Sequence, residues 1–288
     1  MTPYDLKFIT TNESYHLELD DGRWCRKLQP NHQDLGLKSD PLESSGRTGG
    51  SLEYALDICN AASTDCWLNV PHQADDAYVT QMAQLVKTRL NSDLKVYVEY
   101  SNEVWNGVFG SCDPAVKSAP KSYIGWKAVE LGYCETITNW CSTQPSSEDP
   151  YSSEQPEFNC VSVYHLKRSL EIFKLFEDVF GEGSDRVINV IAWQTGGTWH
   201  VENMLEWASD PESFTDNQGV VVNLNPHGVA VEAISLAPYI GGNIGNDIEP
   251  QLGTITPEEV LQLLENEIPV AQTKVQGYVD LAEEYGIP

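Results

Sequence analysis

Apolar positions along the chain follow two alternating patterns: short β-type runs, and longer segments with an apolar stripe every three to four residues. Residues 6–11 form a first short run. Residues 51–62 place Leu52, Ala55, Leu56, Ile58, Cys59 and Ala62 on one helical stripe, and 66–71 read as a strand closed by Pro71. Asp75 then precedes a stripe of Tyr78, Val79, Met82, Leu85, Val86 and Leu90, which makes it the expected N-cap of a helix. A strand at 94–101 is followed by helical patterns at 115–132 and 159–180, a strand at 186–193, a short helix at 199–208 and a strand within 230–239. Thr256-Pro257-Glu258-Glu259 reads as a capping box with proline in the first turn. Helix is expected from there to about Tyr285, interrupted near Pro269 and stopped by Gly286.

Alternating β and α units imply a parallel sheet, either doubly wound or closed as a (β/α)8 TIM barrel. Gly-Gly pairs occur at 49–50, 196–197 and 241–242, but no GxGxxG and no phosphate-loop pattern follows a strand. Polar and aromatic residues instead collect just after the strands: Asn12, His72, Asn102, Glu103, Trp193, Gln194 and Tyr239. Barrel enzymes carry their chemistry at that edge, so the α/β barrel is favoured, as one domain over 1–288. The stretch 134–158, rich in Ser, Pro and Glu, is expected to be a surface insertion loop, and 209–229 is a second polar loop.

Charge narrows the partners. With 43 acidic against 17 basic residues the formal charge is −26, which disfavours nucleic acid, anionic membranes and polyanionic substrates. An uncharged carbohydrate is compatible with such a surface; so is the plainer reading that the charge serves solubility. No apolar run is long enough to cross a bilayer, and the first residues lack the hydrophobic segment of a signal peptide. The chain is therefore expected either to be cytosolic or to begin further upstream. Its seven cysteines include no CxxC pair and no zinc-type cluster. Cys134, Cys141 and Cys160 bracket the polar loop and can supply one disulfide in a secreted protein; buried small hydrophobes plus a free thiol describe them equally well. His72 with Asp75 and Asp76 hints at a metal, but a helix N-terminus accounts for both aspartates, and neither metal nor cofactor is expected.

The most informative run is Val-Tyr-Val-Glu-Tyr-Ser-Asn-Glu-Val-Trp-Asn at 96–106, where a strand delivers an Asn-Glu pair to its C-terminal lip. Glu-Tyr-Ser-Asn-Glu at 99–103 resembles the strand-four signature of the clan A glycoside hydrolases, (β/α)8 retaining enzymes of cellulase and mannanase type. More closely, the chain resembles bacterial glycoside-hydrolase-like barrels, often within long secreted proteins, that carry the run "EYSNEVWN"; the similarity is clearest over about 50–110. The resemblance implies Glu103 as general acid/base, Asn102 as ligand of the sugar 2-hydroxyl, and Tyr239 as the tyrosine that holds the nucleophile. Trp105, Trp193 and His72 are the further substrate-binding candidates, the indoles as platforms for the apolar face of a sugar ring; Trp67 is expected in the core. Alternation along an extended strand places 99, 101 and 103 on one side, so Glu99 is expected to face inward with Glu103 and to pair with Lys7, the match to a strand-two arginine. Ala237 stands where the family often has histidine, a departure in the substrate-binding pattern.

Counting 6–11 as strand two, the chain is expected to hold strands two to six and the following helix, as an internal fragment of a longer extracellular or periplasmic protein. The strand-seven nucleophile would then follow Pro288, and Asp247 and Glu249 are the nearby carboxylates to inspect in its place. The expected function of the full-length parent is hydrolysis of β-linked sugars with retention, and the fragment by itself is expected to be inactive. The alternatives are a non-catalytic carbohydrate-binding barrel, another barrel enzyme such as a carbohydrate lyase or isomerase, and a fragment that folds poorly because its sheet edges are open.

Overall fold

The computed structural model describes residues 52–106, 120–134 and 156–288, apart from 196, 242–243 and 250–252, together with two short strands near the N-terminus. Those strands, β1 (His16–Glu18) and β2 (Trp24–Arg26), pair antiparallel. The expected strand at 6–11, Lys7 and nearly all of the 134–158 loop lie outside the described residues.

From α1 (Leu52–Ala62) onward the order is β3 (Cys66–Val70), α2 (Asp76–Arg89), β4 (Val96–Tyr100), α3 (Pro120–Glu130), α4 (Pro156–Phe180), β5 (Val187–Gln194), α5 (Trp199–Ser209), β6 (Ala233–Ala237), α6 (Ile244–Ile248) and α7 (Pro257–Glu284). The protein is thus α/β, built on a four-stranded parallel sheet with spatial order β3-β4-β5-β6. Strand neighbours in space are strand neighbours in sequence, with no reversal of the order.

The sheet has two faces with different partners. Cys66, Leu68 and Val70 of β3, Val96, Val98 and Tyr100 of β4, and Ile191 and Trp193 of β5 are all buried in one core. This core also takes Val79, Met82, Ala83 and Val86 from α2 and Leu166, Leu170, Phe173 and Phe176 from α4. Each fully buried Val, Leu, Ile, Met or Phe among them contributes about 1.5–3 kcal/mol on leaving water. The helical stripes read from the sequence are the ones that meet here. The opposite face carries the row Asn69, Glu99, Val190 and Ala233, which are register partners across all four strands. In a parallel sheet such partners project to the same side.

Capping follows the sequence closely. The Asp75 carboxylate accepts the Tyr78 main-chain N–H at 2.8 Å, and Thr256 and Glu259 cap each other at the start of α7. At the far end of α7, Gly286 takes φ +68° and the Ile287 N–H reaches back to the Ala282 carbonyl at 2.7 Å. The expected interruption at Pro269 does not occur: α7 runs through it. Among the described residues, two disulfides join Cys59 to Cys66 and Cys134 to Cys160. The second is the loop-bracketing pair; the first, between the end of α1 and the start of β3, was not anticipated. Its ends meet because Ser63 adopts φ +50° and turns the chain within three residues.

Candidate functional site

Glu103 sits just past the C-terminal end of β4, on the turn formed by residues 101–105. The turn begins where the β ladder ends: the Ser101 N–H still donates to the Val70 carbonyl at 2.7 Å. Ser101 and Glu103 then adopt φ +59° and +46°, the left-handed region that costs a side-chain-bearing residue roughly 1–2 kcal/mol. The expected alternation of 99, 101 and 103 therefore fails after Tyr100, because parity holds only in extended backbone. The turn nevertheless returns Glu103 to the neighbourhood of Glu99.

Both oxygens of the Glu103 carboxyl accept hydrogen bonds. The Tyr239 hydroxyl donates to Oε1 at 3.0 Å from beyond the end of β6, and the Asn106 amide donates to Oε2 at 2.8 Å. Two strand ends, β4 and β6, thus converge on one side chain. Tyr239 is 62% exposed, and its hydroxyl is pushed above the usual phenol range by desolvation, the bond to Glu103 and the Glu103 charge. The resemblance assigns Tyr239 to a nucleophile; here its partner is Glu103.

Beneath this turn lies the second carboxyl. Glu99 is buried, and its Oε2 accepts the Trp67 indole N–H at 2.8 Å and the Asn69 amide at 2.9 Å. Burial pushes its carboxyl up to about 7, against the pull of the Trp67 and Asn69 bonds and of the nearby Glu103 backbone amide; the Glu103 charge pushes it up further. Asn69 also donates to the Ser101 carbonyl at 2.6 Å, so one amide ties the inward carboxyl to the start of the turn. The expected Lys7 partner lies outside the described residues; the partners seen are neutral donors. Trp67 is a correction. Expected in the core, it is 46% exposed on the same face as Asn69, stacked on Tyr97.

Trp105 and Trp193 lie on the helix-covered side of the site. Each is only 5–6% exposed, their rings stack at 5.2 Å, and His165 stacks on both. Trp193 shares the helix-facing side of β5 with Ile191, and that direction was not readable without the register. His72 is buried against Tyr123, and its carbonyl accepts the Tyr100 hydroxyl at 2.8 Å, fixing the loop after β3 to the end of β4. Asn102 is half-buried beside Glu103. Gln194 is exposed at the end of β5. Glu249 is exposed next to α6, and the side chain of Asp247 lies outside the described residues.

Behind the two indoles is a buried polar group the sequence did not reveal. His200 Nδ1 lies 2.8 Å from the Ser162 hydroxyl, and His165 Nδ1 has no hydrogen-bond partner. Burial pulls His165 down to about 3 and holds His200 well below the usual imidazole range, helped there by the nearby Lys121 charge. Burial likewise lowers Lys121 to about 8.

No protein-family model, curated protein or solved structure matches the chain. Among the described residues no group of three or more His, Cys, Asp or Glu side chains is arranged to hold a metal. Asp75 caps α2, and Asp76 pairs with Arg168 at 2.7 Å, which accounts for both aspartates near His72. Among the described residues no helix is long and apolar enough to cross a membrane.

Proposed function

We propose that this chain is part of a (β/α)8 barrel that hydrolyses β-linked poly- or oligosaccharides, with Glu103 as general acid/base. The observation that carries the reading is the convergence of two strand ends on one carboxyl, Tyr239 on Oε1 and Asn106 on Oε2, at the C-terminal edge of parallel strands. The unreversed strand order supports a barrel over a doubly wound sheet, whose order changes direction at a switch point. For Glu103 to deliver a proton to a leaving oxygen, one of its donors has to give way. Exposed Tyr239 is the one an incoming sugar can displace. Asn102 and Tyr239 are the substrate contacts in this reading. Two disulfides support an oxidising compartment, extracellular or periplasmic.

The test is turnover of aryl β-glycosides with good and poor leaving groups by the completed barrel, extended to include its strand-seven nucleophile, and by the Glu103→Gln variant of the same protein. General acid catalysis is worth roughly 10²–10⁴-fold. The variant is expected to lose about that much on the poor leaving groups and far less on the good ones. Equal losses on both, or none, reject the assignment. A completed barrel that binds the glycosides and turns over none of them makes the domain a carbohydrate binder.

A further inference from the structure

We propose that a cleft at the N-terminal ends of β5 and β6 binds a primary ammonium group on a short alkyl stem, with Glu177, Glu232 and the Asn189 amide oxygen as its acceptors. The cleft has a volume of about 130 Å³ and lies at the other end of the parallel strands from Glu103. The last turns of α4, the 181–184 turn, the start of β5 and the approach to β6 meet there. Glu177 lines it from α4 and Glu232 from the residue before β6; among the described residues no lysine or arginine lines it. Lys174 comes within 3.5 Å of Glu177, but it is held more closely by Asp178, at 2.7 Å. α4 ends at Phe180, so the partial negative charge of its C-terminus adds to the two carboxylates.

Asn189 makes this more than an acidic patch. It alternates with Val187 and Ile191 on the helix-facing side of β5, which directs its side chain towards α4 and into the cleft. It is only 8% exposed, and its Nδ2 donates to the Ala230 carbonyl at 2.9 Å, which fixes which end of the amide is the oxygen. Among the described residues Oδ1 has no hydrogen-bond partner. A buried acceptor without a donor is costly, and a ligand that brings N–H groups removes the cost. The Glu232 carboxylate is held beside this amide, because its Oε2 accepts the Asn189 main-chain N–H at 3.0 Å. An ammonium carries three donors and no acceptor, which matches a cleft of acceptors in both number and sign. Phe173, Val187 and Val229 line the remainder, a wall that suits methylenes better than the water shell of a metal ion. At about 30 Å³ per water, the volume amounts to roughly four waters, room for the ammonium and a stem of a few carbons. The net charge of −26 raises the local concentration of such a cation.

The experiment is NMR of the full chain titrated with butylamine and with Nα-acetyl-lysine amide, and with tetramethylammonium at the same ionic strength. Saturable shifts are expected in the Asn189 side-chain amide protons and the Glu232 main-chain amide with the two amines. Tetramethylammonium, which carries the charge without an N–H, is expected to leave them in place. Glu177→Gln and Glu232→Gln, which keep shape and an acceptor oxygen, should each weaken binding roughly tenfold, the worth of one charge-assisted hydrogen bond. Tighter binding of butylamine points to a free small amine, and tighter binding of the lysine derivative to a lysine side chain; either supports the site. Equal shifts with tetramethylammonium, Asn189 amide protons that do not move, or unchanged affinity in both variants overturns it. Saturation of the same resonances by calcium chloride and not by the amines makes the cleft a metal site and overturns the ammonium assignment.

Discussion

Replacing His165 with phenylalanine gives a measurable consequence of burying an imidazole without a partner for one nitrogen. His165 is 1% exposed, ringed by Tyr100, Trp105 and Trp193, and burial holds it down to about 3. The unfolded chain binds a proton on this residue below about 6.5, whereas the folded chain does not until far lower pH. A group whose folded value is depressed in this way loses stability as pH falls below the unfolded value. At pH 5 the unfolded state has gained roughly 1.5 pH units of proton affinity, worth about 2 kcal/mol at 1.36 kcal/mol per unit. At pH 7.5 the same term is below about 0.1 kcal/mol. The magnitude at pH 5 is set almost wholly by the unfolded chain, so a unit of difference in the folded value barely changes it. The assay is urea unfolding of the wild type and of His165→Phe at both pH values, with disulfides oxidised. His200 and Glu99, which also titrate, are present in both proteins and cancel in the difference. The stability advantage of the phenylalanine variant is expected to be about 2 kcal/mol larger at pH 5 than at pH 7.5. A difference unchanged to within about 0.5 kcal/mol would show that His165 is protonated or water-paired in the folded state, and would refute the reasoning.

Three further outcomes are expected. Glu99 has a folded value raised from 4.5 to about 7, so its contribution to stability is present at low pH and declines as pH rises through that window; Glu99→Gln should remove up to about 3 kcal/mol of that decline, read by unfolding at pH 4.5 and 7.5. Cys160→Ser opens a disulfide that closes a 26-residue separation and should cost about 3.5 kcal/mol by the loop-entropy relation, measured under non-reducing conditions; a loss under about 1 kcal/mol argues against the bond in solution. Arg168, buried on α4, donates to Asp76, Glu171 and the Ala74 carbonyl, so Arg168→Met should cost about 2 kcal/mol, the carbonyl losing its donor while the more exposed carboxylates turn to water; an unchanged unfolding midpoint contradicts this.

The elements with strong periodicity were legible because the same side chains that mark the pattern make the core: Val79, Met82 and Val86 of α2 meet the sheet as their spacing requires. Caps were legible because they are local, as with Asp75 and with Thr256 and Glu259. The candidate site was half legible. Glu103, its Asn102 neighbour and Tyr239 stand out as polar residues after apolar runs, yet the contact between Tyr239 and Glu103 depends on register and on the turn. Two left-handed residues ended the parity argument at Tyr100, and Asn69 and Trp67 came into view only once β3 and β4 were aligned. The burial of Trp105 and Trp193 was not legible, because an indole after a strand looks alike in sequence whether it turns to the helices or to the cleft. Pro269 misled because a proline's local penalty is absorbed by a helix of 28 residues.

The Cys134–Cys160 bridge brings the two ends of the 135–159 segment together, Cα to Cα at 5.8 Å, between the residues that follow α3 and the first turns of α4. A segment that leaves and returns at one covalent point imposes no span on the sheet and helices around it. Its length and sequence can therefore be exchanged without re-spacing the frame that carries Glu103. A protease cut anywhere within it leaves one covalent molecule, which would separate into two pieces only on reduction and denaturation.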